Sequence, residues 1–252
     1  MSAYISEKYL AGFMDADGSM ELILSKAIRK AIPKIAFSQR ADRAYILERI
    51  QDTYGGYSQT STVSGRQYTK VVITGSRARQ VLDRIRKHLV IKRHYSGIIE
   101  EAIGKPFERD SLRAYLKEER KRKSLPLPKH PSRKWLAGYF DGDGCLSGTL
   151  LRSGTARVRT HIGAWQYDTE GIELIQKAFG GSISKQGNNF QWYIDMDASK
   201  AEKFLGFFGM HSIVKRNQVD VVLGHARTKH FRDGEEMVSL LKRLNAKPQR
   251  LT

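Results

Sequence analysis

Two aspartates stand at matching places in a segment that the chain uses twice. Asp17 lies in YLAGFMDADGSM at 9–20, and Asp143 lies in WLAGYFDGDGCL at 135–146, with an offset of 126 residues. Each follows a stretch of helical character and precedes a glycine, so each carboxylate falls at the C-terminal end of a helix. Gly12 and Ala16 are four residues apart on one helical face, and Gly138 and Gly142 repeat that spacing. Two such helices could approach with their backbones nearly touching. Asp17 and Asp143 would then meet, and would repel one another unless a divalent cation neutralised them; carboxylate oxygens suit magnesium. Such a pair at a phosphate backbone can stabilise attacking and leaving oxygens in phosphodiester hydrolysis, one carboxylate for each strand. The plainer reading, two acids that merely end helices, does not explain why both copies keep the acid. A calcium loop is excluded by spacing, since counting from Asp15 puts Met20 where an EF-hand needs glycine.

The elements that must position these acids are also repeated. AFSQRADRAYILERIQDTYGGYS at 36–58 is echoed at 163–183 by GAWQYDTEGIELIQKAFGGSI, with an offset of 127. HLVIKRHYSGII at 88–99 returns as HSIVKRNQVDVV at 211–222. Three echoes in one order indicate a duplication. The pattern predicts helix, two strands, helix, two strands, helix in each copy. The first helix covers Tyr4 to Ala16 with Ser6 as N-cap and Gly18 as terminator, and its counterpart starts near Ser132. Alternation in MELILSKA and PKIAFSQ puts Leu22, Leu24, Ile35 and Phe37 on one face of a sheet, with Glu21, Ile23, Ser25, Lys34 and Ala36 on the other. Tyr45, Ile46, Ile50 and Tyr54 give a second helix, and Gly55-Gly56 and Gly180-Gly181 end the equivalent helices. The fold class is therefore α+β: two pseudo-symmetric αββαββα halves, each with a curved antiparallel sheet, with the motif helices at their interface. The halves cover 1–104 and 132–245, joined by a linker at 105–131 and followed by a flexible tail at 246–252. Within the linker SLRAYLKEERKRK has helical character, while SLPLPKHP favours extended chain.

Charge narrows the partners. The 252 residues contain 44 Lys plus Arg against 26 Asp plus Glu, a net charge of +18. The excess is distributed: 17 basic and 10 acidic residues in 1–104, 9 and 4 in 105–131, and 18 and 12 in 132–252. A basic body of this kind calls for a polyanion. No stretch is long and apolar enough to span a membrane, and MSAYISEKYLAGF lacks the basic and apolar segments of a secretory signal. Cys145 is the single cysteine, so neither a disulfide framework nor a cysteine zinc site is available, and an intracellular setting is expected. The histidines form no ligand set; Trp135 begins the second motif helix, and Trp192, on a strand, suits the core.

LAGFMDADG and LAGYFDGDG resemble the LAGLIDADG motif of homing endonucleases, of some intron maturases and of a few transcription regulators. Outside the linker and tail the likeness extends over nearly the whole chain. It implies that Asp17 and Asp143, at the eighth motif position, hold the metal, with Ala16 and Gly142 beside them, and that Asp15 and Asp141 are structural. The resemblance also implies polar and basic groups around that centre: Gln39 and Gln166 after the second strand, and Lys92 and Lys215 before the last helix. Those lysines would stabilise phosphate or polarise the attacking water. Arg43 is a weaker candidate, since its counterpart is Glu170.

The family's sheets lie along the major groove, which admits a β-ribbon that reads base edges. The outward residues here would be Glu21, Ser25, Lys34, Ser38, Gln59, Ser61, Tyr68 and Lys70 in the first half. Arg157, Arg159, His161, Lys185, Gln191 and Tyr193 would serve in the second. The halves differ at most of these positions, which implies a long asymmetric target bound by a monomer. The expected activity is hydrolysis of one phosphodiester on each strand of double-stranded DNA, leaving short 3′ overhangs. Mg2+ would be the cofactor, Mn2+ would substitute, and Ca2+ would support binding without cleavage. Intron RNA and cleavage-free DNA regulation are the alternatives. The opening Met and the closing PQRLT, without splicing-type flanks, favour a free-standing or intron-encoded reading frame.

Overall fold

The structure is a computed structural model that describes residues 4–24, 30–103, 108–122, 126–153, 156–165, 168–227 and 234–246. The chain divides into two compact units, Met1–Leu127 and Pro128–Thr252. In the first, α1 (Glu7–Asp17) runs into β1 (Gly18–Leu24) and β2 (Ala31–Arg40). Next come α2 (Tyr45–Tyr54), β3 (Tyr57–Val63), β4 (Arg66–Thr74), α3 (Gly75–Ile85), α4 (Arg93–Ala102) and α5 (Arg109–Glu119). The second repeats the plan with α6 (Arg133–Asp143), β5 (Gly144–Leu150), β6 (Ala156–Trp165), α7 (Glu170–Phe179), β7 (Ser182–Gln186) and β8 (Asn189–Met196). It closes with α8 (Ala198–Phe208), α9 (Arg216–Arg227) and α10 (Gly234–Asn245). Each sheet is antiparallel, in the orders β1-β2-β4-β3 and β5-β6-β8-β7.

Local chemistry explains the boundaries. Ser6 and Ser132 each accept a hydrogen bond from the backbone N–H three residues on, at Tyr9 and Trp135, satisfying one of the amides that a helix start leaves free. The helices end without a loop, because Gly18 and Gly144 turn directly into strands. A Cβ at Gly18 would stand 2.8 Å from the Met14 carbonyl oxygen, and one at Gly144 would stand 2.6 Å from that of Phe140. Only glycine permits so abrupt a change at these two positions. Phe13 stacks between Tyr9 and Phe37 in the first core, and Phe140 packs against Phe204 and Phe208 in the second. Trp192 is buried as expected, and Trp135 is buried too; the Trp192 indole donates to the Gly180 carbonyl at 2.8 Å.

The order of elements departs from αββαββα in three places. Each unit has two helices where one was expected after the second strand pair, α3 with α4 and α8 with α9. A 3-10 turn and a short extended segment separate the members of each pair. Helix α10 was not foreseen; its apolar stripe, Met237, Val238 and Leu241, is buried, and it packs against β5 and β6. Part of the expected linker is α5, which packs on α4 within the first unit. Ser25, Gln166 and the tail at 247–252 lie outside the described residues.

Candidate active site and nucleic-acid face

The two acids of each motif have opposite fates. Asp15 is buried, and its carboxylate accepts from the amides of Val90 at 2.7 Å and Lys92 at 2.9 Å. Asp141 is buried too and accepts from the Ser212 hydroxyl at 2.5 Å and the amides of Ile213, Val214 and Lys215 at 2.5, 3.0 and 3.0 Å. These carboxylates fix the extended segments that lead into α4 and α9. Asp17 and Asp143 instead stand at the last helical position, the first half-buried and the second exposed.

Lys92 and Lys215 complete a reciprocal clasp. The Lys92 Nζ donates to the carbonyls of Met14, Asp15, Ala16 and Gly18 at 2.7, 2.9, 3.3 and 2.9 Å. The Lys215 Nζ donates to those of Phe140, Asp141 and Gly142 at 2.8, 2.5 and 3.1 Å. A cation there satisfies carbonyls that the helix leaves over and opposes the negative end of its dipole. The motif helix thus holds the lysine segment through its first acid, and that segment holds the helix end beside the second acid. In this geometry each ammonium orients the helix end.

The two units differ next to the second acid. Gln39, buried at the end of β2, donates its Nε2 to the Asp17 Oδ2. Strand pairing identifies its counterpart: Gly18 faces Phe37 and Gly144 faces Ile162, so two residues farther on Gln39 corresponds to Ala164. The sequence echo suggested Gln166 because it carried a local two-residue offset that closes again before the paired glycines. On the ladder the second unit therefore has a methyl group where the first has an amide. It also has His161 where the first has Ala36, in a row with Cys145 and Tyr193. Burial, followed by Arg159 and Lys215, lowers the His161 pKa below its ordinary 6.5.

The donor set suits a hard, oxygen-seeking cation. Asp17 and Asp143 offer carboxylate oxygens, and magnesium commonly binds one or two carboxylates with waters and substrate phosphate completing its shell. The Ala16 and Gly142 carbonyls turn towards the lysine ammoniums; a carbonyl retains a second lone pair, so this contact does not remove either as a ligand. Among the described residues there is no cluster of three or more His, Cys, Asp or Glu able to hold a metal. A bound metal would supply charge neutralisation and an activated water.

The outer sheet faces gather most of the expected contact residues. In the first unit Glu21 faces Lys34, Ser38 faces Lys70 and then Gln59, and Tyr68 faces Ser61, all on one side. In the second, Arg157, Arg159, His161, Gln191 and Tyr193 share one side. Lys185 does not: it pairs with Phe190 on the opposite parity, with its Nζ 5.9 Å from that ring's centre, and Gln186 takes the outward place. Several cations are already oriented. Lys34 pairs with Glu21 at 3.1 Å, and Arg159 grips Asp195 through two bonds of 2.7 and 2.9 Å while lying over the Tyr193 ring.

The sequence pattern of the LAGLIDADG endonuclease family matches residues 136–222. Over that stretch the chain is similar to the LAGLIDADG endonucleases. The fold of the whole chain is similar to solved members. The LAGLIDADG homing endonuclease I-SmaMI bound to cleaved DNA is 17% identical, with 96% of this chain and 98% of that one covered, and a TM-score of 0.69. I-GzeII in complex with its DNA target is 14% identical, with 98% and 100% covered, and a TM-score of 0.71. I-AabMI bound to uncleaved DNA is 15% identical, with 95% and 98% covered, and a TM-score of 0.69. I-SmaMI is also known bound to an uncleaved DNA target in the presence of calcium ions. No curated protein matches the chain in sequence. Asp17 and Asp143 occupy matching places in the two repeated segments, where each unit presents its accessible acid. Arg43 lies in the 3-10 turn before α2, half-buried. The Asp–Lys clasp was only partly legible: Asp15 and Asp141 read as structural, but nothing in the spacing joins them to Lys92 and Lys215.

Proposed function

We propose that this protein is a site-specific, metal-dependent endonuclease that binds a long asymmetric DNA duplex and hydrolyses one phosphodiester in each strand. The observation that carries the proposal is the division of labour within each motif. One acid is consumed by backbone amides, and the other is held accessible at a clamped helix end. A protein that only bound nucleic acid would gain nothing from offering two carboxylates to a phosphate backbone, because they weaken its hold. The family match and the DNA complexes of proteins with this fold support the same reading.

Asp17 and Asp143 hold Mg2+, with Mn2+ able to replace it and Ca2+ supporting binding alone. When bound, the metal stabilises the attacking and leaving oxygens. Gln39 orients the Asp17 carboxylate, and Lys92 and Lys215 keep the helix ends fixed. The outer sheet faces enter the major groove, and their unlike side chains select an asymmetric site. One chain supplies both acids, so a monomer suffices. It acts inside the cell, and the cuts leave short 3′ overhangs. Among the described residues no helix is long and apolar enough to cross a membrane.

Cleavage selection from a randomised duplex library with purified protein and Mg2+, beside chelator and Asp17→Asn controls, tests this. Recovery of one long site, cut only with metal and intact Asp17, is the expected result. Salt-sensitive binding of duplex without any cleavage would overturn the nuclease reading and turn attention to intron RNA.

A further inference from the structure

The helix between the two repeats carries a cationic ridge that the duplication does not account for. Arg113, Lys117 and Arg120 are spaced four and three residues apart along α5 and its end, so they share one face, and all three are exposed. Together with Glu21, Leu22 and Leu24 of β1 and Tyr95 of α4 they line an open cleft of about 350 Å³. Strand β1 is an edge of its sheet. The Arg120 guanidinium ties α5 to that edge, donating to the Met20 carbonyl at 3.3 Å while lying 5.3 Å from the centre of the Tyr95 ring. Leu116, which also lines the cleft, and Glu119 are buried beside the ridge, and Glu119 meets the His94 ring at 2.7 Å.

The neighbouring charges do not neutralise the ridge. Arg113 approaches Asp110 only to 4.0 Å, and among the described residues Lys117 has no ion pair. Glu118 is engaged by Lys121 at 2.8 Å, and Arg122 reaches Glu119 at 3.1 Å. Within the cleft Glu21 already pairs with Lys34. The ridge therefore borders the polar face of the first sheet, beyond the unpaired side of β1, with its charge open to a partner.

We propose that Arg113 and Lys117, aligned by Arg120, bind backbone phosphates of the duplex at the margin of the first sheet. This rests on the DNA-binding reading above. The reason is geometric: the major groove is about 12 Å wide and bounded on both sides by phosphates. A ribbon seated in it must bring its edges up to the backbone. Lys34 and Lys70 lie on the reading face itself, whereas Arg113 and Lys117 lie past its edge. Phosphate contacts of this type fix register without reading sequence.

The test is the salt dependence of binding, measured by fluorescence anisotropy on a mixed-sequence duplex in Ca2+ with the full chain. Three proteins are compared: wild type, Arg113→Gln/Lys117→Gln, and Arg79→Gln/Lys87→Gln. The last pair removes two exposed cations from α3 and the turn after it, on the layer behind the sheet. The ridge variant should lose about 1.8 from the slope of log affinity against log salt, about 0.9 for each phosphate contact released. Its melting temperature should match wild type, and the α3 variant should keep the wild-type slope. An unchanged slope in the ridge variant, or equal losses in both variants, would overturn the proposal while leaving DNA binding intact. Wild-type protein with no salt-dependent duplex binding would instead overturn the DNA reading on which it rests.

Discussion

The two motif ends have the same scaffold and different surroundings. Both helices close on a buried acid, a lysine clasp and a glycine that turns straight into a strand. Beside Asp17 the first unit provides a carboxamide from Gln39; at the same ladder position the second has Ala164, with His161 three residues back on the other face of the strand. The contrast separates two kinds of requirement. Keeping a helix end in place is a folding problem, and duplication preserved its solution almost unchanged. Arranging water and phosphate around a carboxylate admits more than one solution, and there the copies have diverged.

The comparison breaks most sharply at the acids. If each carboxylate serves one strand, Asp17→Asn should slow one nick by about a thousandfold, the loss of roughly 4 kcal/mol of metal-assisted stabilisation. The other nick should persist, and Asp143→Asn should exchange the strands. End-labelling each strand separately reads this directly. Equal slowing of both strands in both variants would mean that the acids act as one shared site.

Both clasps should be costly to break. Asp141 accepts at least four hydrogen bonds and Asp15 at least two, both in buried positions. Truncation leaves buried donors unpaired, each costing on the order of 1–3 kcal/mol, partly relieved by water. Asp141→Ala and Asp15→Ala should therefore each destabilise by about 3–4 kcal/mol, measured by urea unfolding. Lys92→Met should reduce cleavage while also lowering stability. A lysine that only polarised water would lose activity with its melting temperature intact.

Gln39 sharpens the comparison at smaller amplitude. A hydrogen bond to a charged group contributes about 1.5–3 kcal/mol, so Gln39→Ala should slow the nick served by Asp17 by roughly ten- to a hundredfold and leave the other rate alone. Slowing of both nicks alike would show that the amide acts on the whole fold.

These residues also show what a sequence can convey. Asp17, Asp143, the capping serines and the glycines after the acids were legible because they depend on local geometry, which a linear pattern records. The outward strand residues were largely legible from alternation. Lys185 was misplaced because so short a strand, SISKQ, carries little alternation to fix its phase. At the ladder position of Gln39 the second unit has Ala164, while Gln166 lies outside the described residues: an echo in sequence tolerates a two-residue shift, and hydrogen-bonded ladders do not. Helix α10 and the packing of α5 escaped notice because neither belongs to the repeat. The clasps were invisible because 77 residues separate Asp15 from Lys92, and 74 separate Asp141 from Lys215.

The smallest expected difference is in response to acid. Ala36 cannot titrate, whereas His161 at the matching position has its pKa lowered by burial and by Arg159 and Lys215. Above about pH 6.5 this histidine is neutral in both folded and unfolded chains and imposes no cost. As the pH falls below that, the unfolded chain takes up the proton more readily, so stability is lost until the depressed folded value is passed. His88 in the first unit and His211 in the second are lowered in the same direction, so wild type already loses stability on acidification. The informative quantity is the change made by His161→Gln, which should flatten the decline between pH 7 and 5 as followed by thermal melts. An unaltered slope in His161→Gln would mean that the ring is solvated enough to titrate normally, and the polar row with Cys145 and Tyr193 would then be an open surface available to the duplex.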